Sequence, residues 1–161
     1  MVIFLKMVNI LNKLLLLLLS LLFAFIVIVV FLQVLSRYVI TIPILWSEEV
    51  ARYGSIFIVF IVSGIALRRK ELIAIDVIFE VLKSEKAKAI LETFIDIAAI
   101  VFSLVLIVKG YEFLGQVSSQ VTPTLQVSMS IPYSAIIIGS VVMLLNGIAA
   151  IVERLIGKEI D

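Results

Sequence analysis

The chain has no cysteine and no histidine. Without cysteine there is no disulfide, no thiolate metal site and no thiol nucleophile, and cysteine usage says nothing about the redox compartment. Without histidine the commonest metal ligand and the usual general base are missing, which disfavours an enzyme from the outset. Neither sign of charge dominates: 13 Lys/Arg stand against 12 Asp/Glu, so nothing points to nucleic acid or to a bulk acidic partner. What is present in excess is apolar surface. Of the 161 residues 63% are hydrophobic, against about 45–50% in ordinary soluble domains. The expected class is an all-α integral membrane protein.

Crossing a bilayer takes about 20 apolar residues in a helix. Four stretches qualify, at about 14–36, 50–67, 89–109 and 131–152, and together they make 1–161 one membrane domain with no room for a soluble one. The first resembles a signal peptide behind Lys6 and Lys13. It is longer than the roughly 7–15 residues of a cleaved apolar core, and no small-residue cleavage site follows it, so it reads as a retained anchor. Arg68, Arg69 and Lys70 stop the second span, and Glu153-Arg154 close the fourth. Between the third and fourth, the Ser-, Thr-, Gln- and Pro-containing segment 110–130 reads as a loop, with a partly re-entrant or interfacial course left open. In 76–92, Val77, Ile78, Val81 and Leu82 share one helical face opposite Glu80, Lys83, Glu85 and Lys86. This predicts a short amphipathic helix at the membrane surface between helices 2 and 3, the alternative being the polar start of helix 3.

Basic residues orient the bundle. Lys6, Lys13, Arg68, Arg69, Lys70, Lys83, Lys86, Lys88, Arg154 and Lys158 fall on one side, against Arg37, Arg52 and Lys109 on the other. The positive-inside rule therefore predicts both termini in the cytoplasm, with Arg68, Arg69, Lys70 and Asp76 as cytoplasmic anchoring residues.

Polar residues at membrane depth are candidate functional groups. Glu92 and Asp96 lie one turn apart on helix 3. As paired carboxylates they can carry protons or a cation; alternatively they sit at headgroup level, with Lys88 pairing Glu92. Small residues mark packing seams: Ala99 and Ser103 on helix 3, and Ala135, Gly139, Val142, Asn146 and Ala149 on helix 4. Asn146 in that seam is expected to hydrogen-bond across helices rather than to bind a ligand. No span contains a chain of carboxylates or a Gly/Pro break, as a transporter acting alone would need.

The densest cluster of charge is in the hairpin between helices 1 and 2, "SRYVITIPILWSEEVARY". Pro43 biases Ile42 to extended geometry. Trp46 is an interfacial anchor. Ser47 is expected to N-cap helix 2, with Glu48 and Glu49 favoured in its first turn by the helix dipole. Arg52 is placed to pair with either glutamate, and Arg37 reaches the cluster only if 38–46 folds back. All these charges have structural explanations, and docking a partner on this outer corner is the functional alternative.

The run "QVLSRYV…WSEEVARY", the later "SGIALRRKELIAIDV" and "VTPTLQVSMSIPYSAIIIGSVVML" resemble the small membrane subunit of tripartite ATP-independent periplasmic (TRAP) transporters over nearly the whole chain. The Trp-Ser-Glu-Glu-x-x-Arg core is the most specific part. The family often carries a histidine after the basic stop, where this chain has Leu72, while Asp76 is retained. The resemblance implies a non-catalytic small subunit, without a cofactor of its own, in a bacterial or archaeal inner membrane. It implies two partners besides lipid: a large multi-helix subunit carrying the sodium and substrate sites, and an extracytoplasmic substrate-binding protein. The implied cargo is organic acids such as C4-dicarboxylates, sialic acid or other sugar and keto acids. The rival from another class is a free-standing homo-oligomeric small transporter or channel, which would need Asp96, Glu92 or Asn146 to line a wet path.

Overall fold

The computed structural model describes residues 1–40, 42, 44–69 and 85–156. Four helices follow in order: α1 (Val2–Leu35), continued by a π-helical turn at Ser36–Ile40, α2 (Trp46–Arg69), α3 (Glu85–Val117) and α4 (Ser130–Ile156). All four are long and apolar enough to cross a membrane. Among the described residues the only strand-like pairing is an isolated bridge between Val121 and Ser128.

Each helix outruns its expected span, for reasons that lie in packing. α1 starts at Val2 rather than near 14 because Leu5 and Val8 bury against Ala149 of α4, with Phe4, Val152 and Ile156 around them. α3 continues to Val117, through residues expected to form a loop. Glycine costs a helix interior about 1 kcal/mol, but Gly110 is buried beneath Ile136 and Ile137 of α4. One turn on, Phe113 meets Tyr133 edge-to-face with ring centroids 5.1 Å apart. These contacts offset the propensity cost, and the connection shrinks to 118–129. The amphipathic interfacial helix falls largely in 70–84, outside the described residues, as do Lys70 and Asp76; from Glu85 onward its sequence already belongs to α3.

The helices adjoin chiefly in the order α3–α4–α2–α1, with α4 packed extensively on both α3 and α2 and also touching α1. The central core joins Leu19 of α1, Ile61 and Ile65 of α2 and Val142 of α4. The α2–α4 crossing is close enough to require glycine on both sides. A Cβ on Gly64 would lie 2.7 Å from the Met143 backbone nitrogen, and one on Gly139 2.6 Å from the Phe60 carbonyl carbon. The start of α1 lies beside the end of α4, at what is here called the terminal end of the molecule. The α1–α2 turn and the 118–129 loop form the opposite, hairpin end.

Candidate functional site

At the hairpin end the chain leaves the π-helical turn by folding back on itself. The Ile42 amide donates to the Ser36 carbonyl at 3.2 Å, and the Ser36 hydroxyl donates to the Ile42 carbonyl. Trp46, 44% exposed, is the first residue of α2. Ser47 is therefore inside the helix rather than its N-cap. It is fully buried, and its hydroxyl donates to the Ile44 carbonyl at 2.5 Å instead of accepting from the first-turn amides.

Glu49 is the centre of this end. Its side chain is buried, at 7% exposure, and reaches across to the connection between α3 and α4. One carboxylate oxygen accepts from the Thr124 amide at 2.8 Å and the other from the Leu125 amide at 3.0 Å. The hydroxyls of Thr122 and Thr124 lie toward the same carboxylate. The loop it holds is closed on itself. The Thr122 amide donates to the Val127 carbonyl at 2.9 Å, the Met129 amide to the Gln120 carbonyl at 2.9 Å, and the Val127 amide to the fully buried Thr122 hydroxyl at 3.2 Å. Gln126 completes the turn in the left-handed region, with φ 56°.

The expected pairing of Arg52 with the glutamates is not formed. Among the described residues no ion pair within 4.0 Å joins Arg52 or Arg37 to Glu48 or Glu49, and both arginines are exposed. Glu48 turns instead toward α1, accepting from the Gln33 side chain at 3.4 Å. The physical reason is competition: two fixed amides offer Glu49 charge-assisted hydrogen bonds without ordering a long side chain, whereas an exposed arginine must surrender rotamer freedom for a screened contact.

The terminal end holds a second polar cluster, made from adjacent residues of α4 that face opposite neighbours. Glu153 takes a two-pronged contact from Arg68 of α2, Nε to Oε2 at 3.1 Å and Nη2 to Oε1. Arg154 reaches α3, donating to Asp96 Oδ2 at 2.7 Å and the Thr93 hydroxyl at 2.8 Å, with Glu92 at 3.4 Å. Asp96, 5% exposed, is thus one half of an interhelical ion pair. Arg69 ends α2 and is exposed.

Between these ends the packing seam is buried. Ala135, Gly139, Val142, Asn146 and Ala149 are all buried on α4, as is Ser103 on α3, with Ala99 half-buried beside it. Asn146 meets Asn12 of α1 in a reciprocal amide pair, with N···O distances of 2.7 and 3.1 Å, and also donates to the Val142 carbonyl at 2.9 Å. Among the described residues no buried side-chain polar atom lacks a partner, and no cluster of acidic residues has the makings of a metal site.

Several of these partners were not singled out in the sequence: Asn12, Gly64, and the Thr122–Leu125 turn that receives Glu49. Depth is a signal for Arg68 with Glu153 alone. Arg68 and Glu153 each stand one residue past the end of an expected span, whereas Asn12 lies before the first span, Asn146 well inside the fourth, and the Thr-Pro-Thr segment in the loop between the third and fourth, so depth did not nominate those pairs. A depth match only nominates pairs, since helix rotation decides which residues face each other.

Comparison with known proteins agrees with this architecture. The search of curated proteins found no match to the chain. Residues 26–157 match the family described as tripartite ATP-independent periplasmic transporters, DctQ component, a transport family that implies a complex with a large membrane subunit and a periplasmic binding protein. With that match over most of its length and four helices able to span a membrane, the chain belongs to the DctQ family and is a multi-pass small subunit of a TRAP transporter.

Proposed function

We propose that this small subunit has no catalytic or ion-binding task of its own. It braces the large subunit of a sodium-coupled importer of organic acids and presents the hairpin end to the extracytoplasmic binding protein. The observation that carries this reading is how the polar groups are used. The buried ones described above are satisfied within the chain, by partners at the two ends, by the Asn12–Asn146 pair or, for Ser103, by its own helix backbone, while the outer faces of α1 and α3 are apolar and open. Such a molecule offers surfaces to partners rather than a route through itself. Both termini are assigned to the cytoplasm and the hairpin end to the outside, because the basic residues concentrate at the terminal end. The membrane is then the cytoplasmic membrane of a bacterium or archaeon.

Mild detergent extraction tests the reading. The expected result is co-purification with a much larger hydrophobic subunit, and no solute uptake by the isolated small subunit in liposomes. Uptake by the isolated chain, abolished by Asp96→Asn, would instead establish a self-sufficient homo-oligomeric transporter.

A further inference from the structure

The loop at 118–129 has a composition that does not choose one shape: Ser118, Ser119, Gln120, Thr122, Thr124, Gln126 and Ser128 are all polar, and it has no core of its own beyond Thr122. It also holds Gln126 in a left-handed conformation that an ordinary residue adopts only when its surroundings enforce it. The turn around Gln126 is closed by the loop's own hydrogen bonds, among them the Gln126 amide to the Thr122 carbonyl at 3.2 Å, and a further hold on it comes from elsewhere in the chain. Glu49 places both carboxylate oxygens on the consecutive amides of Thr124 and Leu125, while Gln120, Val121 and Thr124 remain exposed and Leu125 is 37% exposed. A mostly polar, largely exposed loop is thus anchored from beneath by one buried carboxylate. Rigidity in advance of contact lowers the ordering cost of association.

We infer that Glu49 is the positioning residue of the outer docking surface, its carboxylate latching loop 118–129 into the single conformation that the extracytoplasmic binding protein recognises. The inference rests on the reading above that this end meets the binding protein. The latch acts through the loop, not by touching the partner, because Glu49 itself is buried. Glu49→Gln keeps the size but replaces one acceptor oxygen with an NH2 group facing a donor. Glu49→Asp keeps the charge but is one methylene short, so it can serve one amide at a time.

The test uses the complete complex with its large subunit in lipid nanodiscs, titrated with the fluorescently labelled binding protein. In Glu49→Gln the latched conformer is expected to fall to about a tenth of the population, so that the dissociation constant for the binding protein rises about tenfold and the hydrogen exchange of the 118–129 amides speeds up by more than tenfold. The unfolding midpoint of the complex is expected to stay put, and Glu49→Asp to recover part of the lost affinity. Unchanged exchange in Glu49→Gln overturns the latch, whatever happens to docking. Faster exchange with unchanged affinity also overturns it. In that case Gln120→Lys, which alters the exposed loop surface without touching the latch, separates the two ideas. If Gln120→Lys weakens binding, the docking surface stands and only the latch is lost; if it too has no effect, the docking assignment fails with it.

Discussion

At the scale of single residues, the same chemistry has very different worth at different depths. Arg68 and Glu153 are 8% and 17% exposed and joined by two hydrogen bonds, whereas Lys109 and Glu112 form a single 2.8 Å contact at 67% and 54% exposure. Removing one member of a shielded pair strands the other charge, at a cost on the order of 3 kcal/mol, while an exposed pair three residues apart contributes about 0.5 kcal/mol or less. Arg68→Met is therefore expected to lower the unfolding midpoint of the purified protein in detergent by several degrees, and Lys109→Met to leave it within experimental scatter. Equal shifts would mean that the Arg68–Glu153 contact is as well hydrated as the surface pair. The Asn12–Asn146 pair follows the same logic without charge. Each amide satisfies the other's donor and acceptor, and a cross-helix hydrogen bond in lipid is worth roughly 0.6–2 kcal/mol.

At the scale of elements, close approach rather than apolar burial sets how the helices cross. Lipid is as apolar as leucine, so association relies on backbones coming near enough for dispersion contacts. Gly64 and Gly139 provide that approach, each with a backbone atom of the facing helix within 2.7 Å of where a Cβ would stand. Gly115, near the end of α3, has nothing within 4 Å of that position. Gly64→Ala and Gly139→Ala are thus expected to destabilise the protein, because backbone cannot step aside as a side chain can. Gly115→Ala is expected to be neutral or to stabilise by about 0.5–1 kcal/mol through helix propensity alone. Thermal unfolding of the three variants side by side checks the ranking, and a destabilising Gly115→Ala would remove its basis. Composition shows where apolar runs lie, so four helices were legible in the sequence. Their ends were not, because α1 and α3 are extended by contacts with α4 that local propensity does not contain.

At the scale of the molecule, the row α3–α4–α2–α1 makes α4 the hub and leaves α1 along one margin. A helix of 34 residues is about 50 Å long, against about 30 Å of hydrocarbon, so α1 must tilt or project beyond it. Its exposed apolar stripe, including Ile3, Met7, Ile10, Leu14, Leu17 and Leu21, runs without interruption from the terminal end into the middle of the helix. With no native cysteine, the topology can be read directly by single-cysteine labelling. Gln120→Cys is expected to react with a membrane-impermeant maleimide in intact cells, and Lys13→Cys only after permeabilisation. The opposite pattern would invert the assigned orientation and with it the docking surface.

The sequence by itself determined that this is a membrane protein of four helices with charge at the ends, because hydropathy and charge act through the solvent and need no partner. It also carried the family, through "WSEEVARY" and the segments that follow. Only the tertiary structure decided which polar groups meet. By local spacing Glu49 needs nothing beyond its own helix dipole and Arg52, yet it is spent on amides 75 and 76 residues away. Asp96 reads in the sequence as a candidate ion carrier or a headgroup contact, yet it is held by Arg154 across 58 residues. The choice between a local and a distant partner depends on how each helix is rotated, and that rotation is set by the glycine and alanine contacts of α4 with its neighbours.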